Sequence, residues 1–316
     1  MRAARIVAPG RMRFEHIAFP EPGPGEVRVR LEGCGVCRSN APVWEGRSWL
    51  TYPFEPGAPG HEGWGRVDVL GDGVRSVEPG TRVTLLSNRA FADFDTAPET
   101  SVVPLPDALD ALPFPGEALG SAMNVFWRSD IRPSQEVAVV GAGFLGILLA
   151  QLAAREGARV VAISRRPFAL EMARASGAVE TLAIEPGVEA RARRLTDRGR
   201  GFDRVIEAAG HQETLDLATE LTAERARLVI AGYHQDGVRE VKMQTWNRRG
   251  LDVVNAHERD TRTRVEGMRA AVDAVLTGRL DPVPLMTHTF PLSSLDLAFE
   301  AMKERPDRFL KALVLA

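Results

Sequence analysis

The ten residues VAVVGAGFLG at 137–146 constrain the fold of this chain more than any other stretch. A Val-rich run gives way to a G-x-G-x-x-G turn and then to the apolar helical pattern LGILLAQLA. That order specifies a strand, a tight turn and a helix packed back on the strand. Gly141 permits the turn, Gly143 lets the backbone approach a pyrophosphate, and Gly146 lets helix and strand pack closely. Phe144 and Leu145 open the helix, whose N-terminus offers N–H groups to an anion. The segments ARVVAIS, ALEMARASGA, FDRVIEAAG, TLDLATELTAE, RARLVIAGY, LDVVNAH and RVEGMRAAVDAVLTG continue the alternation of strand and helix patterns. Such alternation predicts an α/β domain, a doubly wound parallel sheet with helices on both faces. Ala209, in FDRVIEAAG, joins the glycine turn as a candidate cofactor contact.

The end of the second strand bears on cofactor choice. A site for NAD usually has Asp or Glu there for the ribose hydroxyls, and this chain has Ser164 followed by Arg165 and Arg166. Loss of the carboxylate removes repulsion toward a 2′-phosphate, and an arginine fork can grip one. NADP is therefore expected over NAD. On the plainer reading the arginines only begin a solvated helix.

With 316 residues the chain suits two domains. Residues 1–110 read as β-rich: GEVRVRLEGCGV, WGRVDVLGDGV and TRVTLLS alternate apolar and polar residues and are punctuated by PG and DG dipeptides. A compact barrel of short strands with long loops is expected. EALGSAMNVFWRS (117–129) has helical spacing and reads as a connector. After Gly278 a strand, a helix and a strand are expected to return to the first domain. The boundaries are set at 1–125 with 283–316 for the barrel domain, and 126–282 for the nucleotide domain. A formal net charge of −2 gives no electrostatic case for nucleic acid or an anionic membrane. No apolar run reaches the roughly 18–20 residues needed to span a bilayer. The first residues lack an apolar signal core, so a cytoplasmic location is expected.

Two cysteines exclude a disulfide framework and direct attention to metal chemistry. Cys37 lies in one glycine-rich bend and His61, beside Glu62, in another. Thiolate, imidazole and carboxylate are the donors of a catalytic zinc, which takes three protein ligands and keeps one position open. Glu117 is the third candidate, although a Glu in the first turn of a helix also satisfies the helix dipole. Glu62 is an alternate or water-mediated ligand, or a group that orients the site. Cys34 reads as a small buried residue. Trp44, Trp49 and Phe54 lie between the two bends and either line a pocket or fill the barrel core. His257 reads as a surface histidine, the alternative being a group that faces a nicotinamide or a partner subunit.

PEPGPGEVRVR, GCGVCRSN, PGHEGWGRV, FPGEALGSAMNV, VAVVGAGFLG, FDRVIEAAG and FPLSSLDLAFEAM together resemble the zinc-dependent medium-chain dehydrogenase/reductase family, alcohol and polyol dehydrogenases, over nearly the whole chain. The resemblance implies a GroES-like β-barrel catalytic domain plus a Rossmann domain. It implies zinc on Cys37, His61 and, as in the polyol-type branch, Glu117. It places Arg38 on the pyrophosphate and makes Ser39 the proton relay. Asn40 stands where the family often has an aspartate that buttresses the zinc histidine. Pro42 stands where some members end the relay on a histidine. The four-cysteine structural lobe is missing, so one catalytic zinc and no structural zinc is expected.

These features imply hydride transfer between NAD(P) and a secondary alcohol, polyol or cyclitol, or the matching ketone. A homodimer is expected, paired through the edge strand LDVVNA. The rivals are a zinc-free NADPH-dependent reductase of the same superfamily, disfavoured by the Cys/His/Glu set, and a non-catalytic cofactor-binding protein.

Overall fold

A computed structural model describes all 316 residues. The chain divides into two compact units, 1–120 with 260–276 and 282–316, and 121–259 with 277–281.

In the first unit the long strand Glu26–Val36 is the organising element. It pairs antiparallel with Glu62–Leu70, Phe94–Pro98 and Ala312–Leu315. The sheet continues through Arg82–Leu85 to Val102–Pro104 on one side and His288–Pro291 on the other, seven strands in all. Register shifts at Arg28/Val29 and Leu31/Gly33 bend the long strand, as β-bulges do. Its alternation is visible in the burial of Val27, Val29 and Leu31, which join Trp44, Phe91 and Phe299 in one apolar core. The tail predicted to return does so as strand, helix Leu295–Glu304 and strand.

In the second unit six parallel strands lie in the order Glu180–Ala183, Arg159–Ser164, Glu136–Val140, Phe202–Glu207, Thr222–Ile230, Asp252–Asn255. Val137 to Val140 and Val160 to Ile163 are fully buried, as strands covered on both faces should be. The short strand Glu180–Ala183 and the helices Val188–Arg193 and Met243–Arg249 were not legible in the periodicity.

The helix Thr261–Leu276 belongs with the first unit, whereas the boundaries read from the sequence placed it in the second. Side-chain contacts explain this. Arg264 pairs with Glu117, and a Cβ on Gly120 would lie 2.7 Å from the Met268 backbone nitrogen. Strand and helix alternation carries no information about which sheet a helix covers. No helix of the chain is long and apolar enough to cross a membrane.

Candidate active site

Cys37 and His61 are 24 residues apart in sequence, and strand register brings them together. Gly35 pairs with Glu62 across the antiparallel strands, so the residues just beyond the pair, Cys37 on one strand and His61 on the other, emerge at the same sheet end. Cys37 precedes a single 3-10 turn, Arg38–Asn40, that swings the chain into the helix Ala41–Glu45. A Cβ on Gly35 would sit 1.8 Å from Glu62 Oε2, so the Glu62 carboxylate occupies the space this glycine leaves. Donor atoms of Cys37, His61 and Glu62 all lie within 4.8 Å of one another.

His61 is fixed by its backbone. Nδ1 lies 2.9 Å from the Pro59 carbonyl oxygen, which only accepts, so Nδ1 carries a hydrogen. Nε2 faces Ser39 Oγ at 3.4 Å. The imidazole pKa is pushed up to about 10: burial opposes its charge, but Cys37, then Glu117 and Glu62, outweigh burial. Asn40, at the position where the family often has a buttressing aspartate, makes no hydrogen bond to this imidazole. Asn40 is buried and its Nδ2 has no hydrogen-bond partner, and the Nδ1 hydrogen of the imidazole goes instead to the Pro59 carbonyl.

Two cations that sequence reasoning missed flank the cluster. Lys311 Nζ lies 2.6 Å from Glu62 Oε1 and 2.5 Å from Oε2, with both side chains buried. Burial lowers the Lys311 pKa, but Glu62, Cys37 and Glu117 raise it overall. Its signal in the sequence is one lysine inside the apolar run FLKALVLA. Arg264 Nη2 donates to Glu117 Oε1 at 2.9 Å. Glu117 thus lies outside the tight set, yet its charge is felt by His61. Its helix, Gly116–Ser129, is pinned by buried Thr84, whose hydroxyl donates to Gly63 O (3.0 Å) and accepts from Gly116 N (3.1 Å).

The donor chemistry fits zinc. Thiol, imidazole and carboxylate, the donor types a catalytic zinc takes, converge within 4.8 Å at Cys37, His61 and Glu62. Of the other residues singled out, Cys34 is fully buried with its thiol pKa raised by burial and by Glu62. Trp44 is a core residue, stacked on Phe299 with centroids 4.9 Å apart. Phe54 packs against the same core, while Trp49 is exposed. Arg38 is exposed, with Nη1 3.7 Å from Met302 Sδ.

In the second unit the three glycines of the turn occupy three different environments. Gly141 has φ +105° and a Cβ on it would crowd Ala209 at 2.9 Å. A Cβ on Gly146 would strike Gly141 O at 2.0 Å, whereas one on Gly143 would meet nothing within 4 Å. Turn, close packing and open backbone are thus divided among Gly141, Gly146 and Gly143. Gly143 caps the helix Phe144–Arg155, which Leu145 continues. Ser164 ends its strand buried, Arg165 is exposed, and Arg166 is half-buried with its pKa lowered by burial. His257 tilts against Tyr233, ring centroids 6.1 Å apart.

The loop that carries Ala209 is held by Glu207, another residue the sequence reading passed over. Fully buried, it accepts from Ala209 N (2.9 Å), Gly210 N (2.8 Å) and Thr214 Oγ1 (2.7 Å) at Oε1, and from His234 Nε2 (2.9 Å) at Oε2. Arg239 Nε donates to His234 Nδ1 at 2.8 Å, so His234 is the Nε2–H tautomer. Burial raises the Glu207 pKa, but His234, Thr214 and the two backbone N–H groups hold it below the usual carboxylate range.

Residues 23–107 match the alcohol dehydrogenase GroES-like domain and residues 145–274 the zinc-binding dehydrogenase domain. The chain is 27% identical to an L-threonine 3-dehydrogenase of Rhizobium johnstonii, over 92% of this chain and 91% of that one. It superposes on an alcohol dehydrogenase of Escherichia coli CFT073 complexed with NADH (TM-score 0.88, 23% identity, 100% and 99% of the two chains). It also superposes on an NADP-bound structure from Sinorhizobium meliloti 1021 assigned as a zinc-binding dehydrogenase (TM-score 0.85, 26% identity, 100% and 99%). Two domain matches in the expected order, on a sheet end that gathers thiol, imidazole and carboxylate, mean that this chain belongs to the zinc-type medium-chain family of NAD(P)-dependent alcohol and polyol dehydrogenases.

Proposed function

We propose that the chain catalyses hydride transfer between NADP and a secondary alcohol, polyol or cyclitol, or the matching ketone, with one catalytic zinc and no structural zinc. The observation that carries this reading is the convergence of Cys37, His61 and Glu62 within 4.8 Å, beside Ser39. Cys37 and His61 are the two fixed donors. The third is a carboxylate, Glu117 or Glu62. Both carboxylates carry a cation, Lys311 on Glu62 and Arg264 on Glu117, and what favours Glu62 is its place inside the tight set. Zinc at these donors supplies a Lewis acid for the substrate oxygen, and the nicotinamide supplies hydride acceptance. The hydroxyl of Ser39, 3.4 Å from His61 Nε2, takes the substrate proton and passes it outward. The Pro59 carbonyl keeps the imidazole from rotating, so Nε2 stays turned to the donors.

The buried Ser164 with Arg165 and Arg166 after it supports NADP. A homodimer through Asp252–Asn255 is supported by its place at the sheet edge. The test is metal analysis together with nicotinamide absorbance over a panel of polyols and cyclitols, for the wild type, Glu62→Gln and Glu117→Gln. One zinc per chain and turnover in the wild type are expected. Metal content identifies the third ligand as the carboxylate whose replacement empties the site. A wild type that holds no zinc after growth in zinc refutes the reading.

A further inference from the structure

In the second unit a closed ring of hydrogen bonds runs through Gly210. Gly210 N donates to Glu207 Oε1 at 2.8 Å, and Gly210 O accepts from Arg239 Nη2 at 2.8 Å. Arg239 Nε donates to His234 Nδ1 at 2.8 Å, and His234 Nε2 donates to Glu207 Oε2 at 2.9 Å, which closes the ring. Three pieces of chain are tied by it: the end of the strand Phe202–Glu207, the loop that follows, and the segment after Thr222–Ile230. Neighbouring contacts reinforce the tie. A Cβ on Gly210 would lie 2.8 Å from Tyr233 O, and Gln212 and Glu240 exchange two bonds of 2.9 Å each. The loop held in this way is the one that meets the glycine turn. A Cβ on Gly141 would crowd Ala209 at 2.9 Å, and Ala208 N donates to Val140 O at 2.8 Å.

One link of the ring depends on a single proton. Neutral His234 offers an acceptor, Nδ1, to Arg239 and a donor, Nε2–H, to Glu207. A second proton on the imidazole would set Nδ1–H against the guanidinium, donor to donor and cation to cation. The bond to Glu207 would survive, because this buried carboxyl stays ionised and still accepts. The break therefore falls between His234 and Arg239. The charged groups around the imidazole are Glu207 from the strand, Arg239 and Asp236 from its own segment, and His211 at the start of the helix Gln212–Leu221. Asp236 pairs with Arg239, and its Oδ2 lies 3.8 Å from His211 Nδ1. Imidazole is the side chain whose ordinary charge change falls between about pH 8 and pH 5.

We propose that this ring is an acid-sensitive clamp on the cofactor site. With His234 neutral it holds the Ala209 loop beside the glycine turn, and protonation of His234 opens it and weakens the bound nicotinamide nucleotide. His234 and Arg239 are positioning residues, which act on the nucleotide through Gly210 and Ala209. The proposal rests on the dehydrogenase reading above, with Ala209 as a cofactor contact. An opened ring frees Gly210 O and the segment that carries Arg239, so ordering the loop again draws on the binding energy of the nucleotide.

Titration of the full chain with NADPH, followed by nicotinamide fluorescence from about pH 8 to about pH 5.5, tests the clamp without turnover. The wild-type affinity should fall by about five- to tenfold across that range, within the usual size of coupling between sites. His234→Gln supplies one acceptor and one donor but takes up no proton. It should bind as the wild type does at pH 8 and lose less affinity on acidification, and the same comparison cancels titration of the nucleotide's own phosphate. Arg239→Lys keeps the charge but not the fork that holds His234 and Gly210 together. It should bind about five- to tenfold more weakly at pH 8 and respond less to acid, which keeps the test decisive if His234→Gln does not fold. A wild type whose affinity does not fall, or variants that fall in parallel with it, would overturn the proposal alone. A wild type that binds no nicotinamide nucleotide at any pH removes the dehydrogenase reading, and the clamp with it.

Discussion

Replacement of Glu207 by Gln should destabilise the second unit by about 3–5 kcal/mol, although the substitution is nearly isosteric. The amide oxygen can keep the three donors that meet Oε1, from Ala209, Gly210 and Thr214. The amide NH2 then replaces Oε2 and points a donor at the Nε2–H of His234. The imidazole cannot answer by changing tautomer, because its Nδ1 already accepts from Arg239. One charge-assisted bond is lost, worth about 1.5–3 kcal/mol, and a buried donor is left unpaired at about 1–3 kcal/mol. Urea denaturation followed by far-ultraviolet circular dichroism gives the loss. A cofactor titration should show weaker binding, because Ala209 abuts Gly141 in the pyrophosphate turn. The sign with pH follows from the lowered carboxyl pKa: the contribution is complete above the ordinary unfolded value near ~4.3 and is lost as pH falls through the folded value. The difference between wild type and variant should therefore hold from neutral pH to about pH 5 and shrink below about pH 4. A loss under about 1 kcal/mol, or an equal loss when His234 is already replaced by Ala, would show that the chain of contacts is not energetically coupled.

Lys311→Met should destabilise the metal-free protein by about 3–5 kcal/mol, since it leaves Glu62 buried without its cation, and added zinc should restore part of that loss; intrinsic fluorescence from buried Trp44 and Trp64 reports it. Cys37→Ser should abolish both metal and turnover; elemental analysis that finds full zinc in this variant would remove Cys37 from the ligand set. Ser164→Asp should reverse the cofactor preference toward NAD, and Arg165 and Arg166 changed together to Ala should weaken NADP by about ten- to a hundredfold while NAD is nearly unaffected; equal weakening of both cofactors would mean the arginines merely begin a helix. Light scattering at micromolar concentration should give a dimer, and a monomer would contradict pairing at Asp252–Asn255.

Local regularity made much of this protein readable before its structure. The strand–turn–helix at 137–146 forms as its periodicity and glycines specify, with Gly141 at positive φ and Gly146 packed on the Gly141 carbonyl. The two ligand bends are legible because glycines flank them and because thiol and imidazole are rare in this composition. Ser164, Arg165 and Arg166 are placed by counting from one strand to the next. Short elements were lost: Glu180–Ala183 and Val188–Arg193 are too brief for a period to rise above noise. The sequence does not separate Glu62 from Glu117, since both carboxylates suit zinc; that Glu62 lies within 4.8 Å of Cys37 and His61 and that Glu117 pairs with Arg264 come only from packing.

Sequence alone determined which chemistries are present, namely a dinucleotide turn, a soft and borderline donor set and a parallel sheet, because these depend on residue type and on spacing within one element. Tertiary structure decided the pairings. It brought Cys37 to His61 through strand register, set Lys311 from the last strand on Glu62, and placed Arg264 on Glu117 across 147 residues of chain. It also withdrew Asn40 from His61 in favour of a backbone carbonyl. The physical reason is that a charge's partner is fixed by which elements pack together, and packing is a property of the whole apolar pattern rather than of any motif within it.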